Sequence, residues 1–215
     1  MGYSHVLLDL DGTVIDSCEG VLNAFRYALR NNGLTEPASG LAFVMGPPLY
    51  DSFLKICADP ALARQCVVTY RVYYTDRGIF ECRVYPGIPE LLVHLRDNRI
   101  GVGIATSKPE PFARRILRHF GLLDLFDEVG GADMEGPVQQ KPDVLRRSMA
   151  RLGADPATSL MVGDRCYDVT GAHELGTRCA GVLYGYGDRA DLAGADYYCD
   201  TPLEVLAVAL QGPPA

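Results

Sequence analysis

The chain has 215 residues, of which 48% are apolar, and a formal net charge of −7. That composition supports a packed core and excludes a disordered chain. Its 20 Lys and Arg against 27 Asp and Glu also speak against a nucleic-acid partner, because a phosphate backbone is held by clustered cations.

No run of about 18 apolar residues occurs, so no membrane span is expected. The first five residues lack the basic-then-apolar order of a secretory signal. None of the seven cysteines forms a C-x-x-C pair, and they read as reduced thiols of a cytoplasmic protein. The four histidines show no metal-ligand spacing.

Residues 5–10 read as a short apolar strand running into acidic residues. Asp16 and Glu19 stand three apart like a capping box. Val21, Leu22, Phe25, Ala28 and Leu29 then follow at helical spacing up to Gly33, placed as a C-terminal glycine. After the Gly46-Pro47-Pro48 loop, helices are expected near 50–58 and 61–77, where Gly78 breaks the run. From about 17 to 83 the pattern holds only helices and loops. Tyr70, Tyr73 and Tyr74 read as the core of this segment rather than a pocket lining.

At Tyr85-Pro86-Gly87 the pattern changes to alternating helix and strand. Leu91, Leu92 and Leu95 mark a helix, and 100–105 is a β-rich apolar run. Pro109 suits the first turn of a helix carrying Phe112, Ile116 and Phe120 and ending at Gly121. A short strand is expected at 126–130, a helix at 142–152 closed by Gly153, and a strand at 160–162. A helix to Leu175, strands at 178–183 and 195–199, and a helix at 202–210 follow, leaving 211–215 as a loose tail. Strands alternating with helices imply an α/β fold, a parallel sheet covered on both faces. Ligands of such sheets bind beyond the carboxyl ends of the strands.

Those strand ends carry Asp9-Leu10-Asp11-Gly12-Thr13, Ala105-Thr106-Ser107-Lys108 and Gly163-Asp164-Arg165-Cys166-Tyr167-Asp168, and Lys141 opens a helix. Four carboxylates at one edge repel each other, by on the order of 4 kcal/mol per pair at about 4 Å and an effective dielectric near 20. The site therefore needs a cation, and all-oxygen ligands favour Mg²⁺. A lysine, a threonine hydroxyl and turn amides would complete a phosphate cradle, with Gly12, Thr106, Ser107 and Lys141 as its candidate positions. Of two nearby carboxylates, one can attack phosphorus while the other moves the proton of the leaving oxygen and of water. Lys108 reads as surface charge. Asp168 reads as either a helix N-cap or a member of the site.

Asp9-Leu10-Asp11-Gly12-Thr13-Val14 resembles the first motif of the haloacid dehalogenase superfamily. Thr106, Lys141 and Gly163-Asp164-x-x-x-Asp168 resemble its second, third and fourth motifs in the same order. The resemblance implies a Rossmann-like, doubly wound core over 1–16 and 84–215, with a small α-helical cap inserted as 17–83. It further implies Asp9 as nucleophile and metal ligand, and Asp11 as general acid/base with its main-chain carbonyl on Mg²⁺. Thr106 would bind phosphate, and Lys141 would steady both nucleophile and phosphate. Asp164 would bind the metal, and Asp168 would support it or its waters.

The substrate implied is a small phosphorylated metabolite. Tyr85-Pro86-Gly87-Ile88-Pro89-Glu90-Leu91 and Ala105-Thr106-Ser107-Lys108-Pro109 resemble the phosphoglycolate-phosphatase-like branch. Gly46-Pro47-Pro48-Leu49 and Val182-Leu183-Tyr184-Gly185-Tyr186-Gly187 resemble a subgroup of 5′-nucleotidases, and Gln140 stands where phosphoglycolate phosphatases commonly carry glycine. A nucleoside 5′-monophosphate is the first expectation and 2-phosphoglycolate the second. A β-phosphoglucomutase-like isomerase would use the same residues. A phospho-receiver module does not fit, since the helical segment interrupts the chain just after its first strand.

Overall fold

The first strand, β1 (His5–Leu8), is buried on both faces, so the sheet around it must be covered on both sides. The computed structural model describes residues 2–138 and 140–213. After β1 come β2 (Ile15–Asp16), α1 (Cys18–Asn31), α2 (Leu49–Cys57), α3 (Pro60–Asp76) and β3 (Arg83–Val84). Then follow α4 (Ile88–Asp97), β4 (Gly101–Pro109), α5 (Glu110–His119), β5 (Glu128–Ala132), α6 (Lys141–Leu152) and β6 (Ser159–Gly163). The chain closes with α7 (Cys166–Glu174), β7 (Arg178–Val182), β8 (Tyr197–Cys199) and α8 (Pro202–Gln211).

Six strands form one sheet in the order β5-β4-β1-β6-β7-β8, and every pairing is parallel. Leu8 at the end of β1 sits opposite Ile104 of β4 and Val162 of β6. Counted among these six, the order is third, second, first, fourth, fifth, sixth, so the winding reverses at β1. The parallel sheet expected from the alternation and the doubly wound core that the resemblance implied are therefore both present, and in such sheets the ligand crevice lies where the winding reverses, here at the carboxyl end of β1. On one face Leu7, Ala105, Met161 and Cys179 pack with Val144, Leu145 and Met149 of α6 and Val169 and Ala172 of α7.

The chain divides into two compact units, Met1–Asp16 with Val84–Ala215, and Ser17–Arg83. The second unit is built on aromatic packing. Phe25 of α1 stacks on Phe53 of α2 at 4.4 Å, and Tyr70 of α3 meets Phe25 edge-on and stacks on Tyr74. Tyr70 and Tyr74 are thus core, while the Tyr73 hydroxyl donates to Glu81.

Several local expectations need correction. Asp16 does not cap α1. The N-cap is Ser17, without a side-chain capping bond, and Asp16 belongs to β2, which pairs with β3 in a two-stranded ribbon. Strand β3 also reaches into the segment expected to hold only helices and loops. Pro109 stands at the N-cap of α5 rather than in its first turn, and it also ends β4, which pairs with β5 as far as Pro109↔Ala132 through an irregularity after Thr106. Of the expected loose tail, Gln211 still belongs to α8, and residues 214 and 215 lie outside the described residues. The seven cysteines are all free. Among the described residues no helix is long and apolar enough to cross a membrane.

Truncating Leu7, which is fully buried in the central strand, removes packing that cannot relax easily. Leu7→Ala is expected to cost about 2–5 kcal/mol, read as a lower midpoint of urea unfolding.

Candidate active site

Asp9 follows β1 directly, and its amide donates to the Val162 carbonyl at 2.8 Å, which extends the sheet pairing to the nucleophile candidate itself. The chain then turns tightly, with the Val14 and Ile15 amides both donating to the Leu10 carbonyl at 2.9 Å. Gly12 takes φ +82°, and a side chain there would overlap the Asp164 carboxylate. Its amide already donates to the Ile15 carbonyl at 2.8 Å. Gly12, expected as a phosphate-binding position, therefore contributes room for Asp164 rather than a free amide.

Asp164 follows β6 and is fully buried. Its Oδ2 accepts the Tyr186 amide at 2.8 Å, while Oδ1 has no hydrogen-bond partner among the described residues. Asp168 lies one turn into α7, not at its cap. The N-cap is Arg165, and Asp168 Oδ2 accepts the Arg165 amide at 3.0 Å in a capping box. Its other oxygen, Oδ1, turns instead to the Lys141 ammonium.

Lys141 is the first residue of α6 and nearly fully buried. Its Nζ lies 2.9 Å from Asp9 Oδ1, 2.7 Å from Asp168 Oδ1 and 3.0 Å from the Ala105 carbonyl. Those two carboxylate oxygens have no further hydrogen-bond partner among the described residues. Burial would lower the Lys141 pKa, but Asp168 and Asp9 outweigh it and hold the ammonium above its ordinary value. Burial pushes Asp164 well above the usual carboxylate range, and the charges of Asp168 and Asp9 push it further. Asp168 is also raised by burial, against the pull of Lys141.

One oxygen from each of Asp9, Asp164 and Asp168 lies within 4.8 Å of the others. Three carboxylates against one ammonium leave excess negative charge in a dry place, where each like pair costs several kcal/mol. A buried, partnerless Asp164 oxygen in an all-oxygen donor set fits a hard divalent cation such as Mg²⁺.

The Asp11 carboxylate stands apart from this cluster. Its Oδ1 lies 2.8 Å from the Nζ of Lys108. Lys108 was expected at the surface, yet its side chain is only 7% exposed. The physical reason is the irregularity in β4, which lets the strand run on past Thr106 and re-aims the side chains there. Position alone could have flagged it, as a lysine two residues beyond a site threonine at the same sheet edge. Thr106 is buried and its hydroxyl oxygen accepts the Lys108 amide at 3.2 Å. Ser107 is exposed within β4. Sequence reasoning also missed Tyr184 and Tyr186, whose loop closes on Gly12, Thr13 and Asp164.

Known proteins share this arrangement of sequence and fold. Residues 6–182 match the family model described as haloacid dehalogenase-like hydrolase. A 5′-nucleotidase of Pseudomonas aeruginosa is 37% identical over 92% of this chain and 91% of its own length. Tyrosine-protein kinase PtkA of Mycobacterium tuberculosis is 41% identical over 86% of this chain, but the chain spans only 64% of that protein. The crystal structure of "a predicted phosphatase from Clostridium acetobutylicum" superposes with a TM-score of 0.88 at 37% identity, covering 96% of this chain and 100% of that one.

Asp164→Asn removes a buried charge that has one unpaired oxygen. The variant is expected to melt higher than wild type in the presence of a chelator, by about 2–4 °C per kcal/mol gained. Mg²⁺ is expected to raise the wild-type melting temperature but to leave the variant almost unmoved. Thermal scans with and without Mg²⁺ check both.

Proposed function

The chain belongs to the haloacid dehalogenase-like hydrolase family, and we propose that it is a phosphatase that passes the phosphoryl group of a small phosphomonoester first to Asp9 and then to water. The observation that carries this reading is the Asp9 carboxylate, paired with Lys141 at 2.9 Å at the point where the sheet reverses its winding, beside a buried Asp164 oxygen with no hydrogen-bond partner among the described residues.

In the first step an Asp9 oxygen attacks phosphorus, the bond to the leaving oxygen breaks, and Asp11 donates a proton to that oxygen. In the second, Asp11 takes a proton from water as the water oxygen attacks phosphorus, which releases inorganic phosphate and restores Asp9. Lys141 holds Asp9 in line and offers positive charge to the phosphoryl oxygens. The Thr106 hydroxyl oxygen accepts from the Lys108 amide, so its own proton is left to donate to a phosphoryl oxygen. Mg²⁺ held by Asp9, Asp164 and the main-chain carbonyl of Asp11, with Asp168 in support, would supply the charge that lets an anionic nucleophile approach an anionic phosphate.

A nucleoside 5′-monophosphate is the substrate we favour. The support is the relation to a 5′-nucleotidase over nearly the full length of both chains. The helical unit Ser17–Arg83 is read as the cap of the fold, and the choice among phosphomonoesters is ascribed to it. 2-Phosphoglycolate is the second candidate. An isomerase would return the phosphoryl group to its substrate, so release of free phosphate separates it from a hydrolase.

Phosphate release from nucleotides, phosphoglycolate and sugar phosphates, with Mg²⁺, tests the reading. Asp9→Asn is expected to lose at least roughly 10⁴-fold in turnover, and Asp11→Asn about 10²–10⁴-fold. Excess chelator should abolish release by the wild type. Turnover by Asp9→Asn at the wild-type rate would sink the covalent route.

A further inference from the structure

Beyond β7 the chain runs through Tyr184-Gly185-Tyr186-Gly187 and makes contacts that the proposed chemistry does not use. The Tyr184 hydroxyl donates to the Thr13 carbonyl at 3.1 Å, and the Tyr186 hydroxyl to Asp16 Oδ1 at 3.0 Å. The Tyr186 amide donates to Asp164 Oδ2 at 2.8 Å. Both glycines are pressed against Asp164, and Gly185 also against the turn at Gly12. A side chain at 185 would overlap the Gly12 carbonyl and Asp164, and one at 187 would overlap the Asp164 carbonyl and approach the Asp191 carboxylate. Asp191 braces the far side, pairing with Arg165 Nε at 2.8 Å.

We propose that residues 184–187 form a positioning strap for the divalent-cation site, tying the turn after Asp9 to Asp164 and presenting Asp164 with one oxygen fixed and the other open to the ion. The inference rests on the reading of Asp164 as a cation ligand. The physical reason follows from the cost of gathering like charges. A buried aspartate free to rotate would turn both oxygens toward whatever donors it could reach, and would have to be reordered each time the ion bound. Fixing Oδ2 with a main-chain amide leaves the Asp164 Oδ1 without a hydrogen-bond partner among the described residues. The two tyrosine hydroxyls hold the strap to the segment that carries Asp9, so the two ligand-bearing segments move as one piece. Partners that orient a ligand in this way typically matter 10–100-fold in metal affinity. Only glycine lets the backbone come this close, because at either position a Cβ would displace Asp164.

The experiment is calorimetric titration of the full chain with Mg²⁺. Four proteins are compared: wild type, Gly187→Ala, the double variant Tyr184→Phe with Tyr186→Phe, and Asp164→Asn. Circular dichroism checks that each is folded. The expected result is a dissociation constant about 10–100-fold weaker in Gly187→Ala, a smaller loss in the double variant, and no saturable binding in Asp164→Asn. Wild-type affinity in a folded Gly187→Ala, with binding lost in Asp164→Asn, overturns the strap and leaves the ligand reading standing. Wild-type affinity in Asp164→Asn overturns both. Should Gly187→Ala fail to fold, the double variant decides, since it removes two hydroxyls and leaves every glycine in place. Unchanged affinity there overturns the proposal.

Discussion

The constraint on which the rest of this structure depends is the burial of three carboxylates, Asp9, Asp164 and Asp168, within reach of one another and of a single ammonium, Lys141. Such a cluster opposes folding, since each charge loses water and gains like-charged neighbours. The protein tolerates it by making the surroundings rigid. Asp9 and Asp164 follow neighbouring parallel strands, β1 and β6, and Asp168 and Lys141 project from helices packed on the same sheet. None of the four depends on a long loop for its position. The stored repulsion would favour a divalent cation at this cluster, and under the proposed function a phosphate ligand would benefit from the same ion.

Asp9 and Asp11 lie two residues apart but occupy different surroundings. Asp9 pairs with the buried Lys141, while Asp11 sits across the turn against Lys108. A reaction that needs one carboxylate to bond to phosphorus and another to move protons requires such a difference, because two identical neighbours could not divide the work. The turn from Leu10 to Ile15 creates it, and Gly12 permits the turn by leaving space for Asp164. The family membership and the geometry therefore support the same chemistry from separate directions. Substrate choice is a different matter, because none of the four motifs that carry the chemistry falls in the helical unit to which we ascribe it.

Much of this was readable in the chain before any coordinates. Apolar runs alternating with helical periods announced a parallel sheet, and acidic residues at the ends of two such runs announced the edge where Asp9 and Asp164 meet. Lys141 and Asp168 were legible through their order relative to Asp9 and Asp164. These features are local, and local patterns are what a sequence displays directly. The reversal of strand order at β1 was not local. It needed six strands to choose neighbours, and those neighbours are remote in the chain.

What the sequence by itself determined was the class of fold, the residues that carry charge to the sheet edge, and the chemistry those residue types allow. What only the tertiary structure decided was which charges meet. Lys108 read as surface because nothing in its neighbours showed that β4 would run on through an irregularity and carry it inward to Asp11. Asp16 read as a helix cap because a capping box is a pattern of four residues, whereas its actual partner, Tyr186, is 170 positions away. Gly185 and Gly187 stood out only within a run that resembles a subgroup of 5′-nucleotidases, and nothing local showed that they let one backbone touch another. In each case the deciding energy lies in a contact between segments remote in the chain, and such contacts exist only once the sheet has closed and excluded water around them.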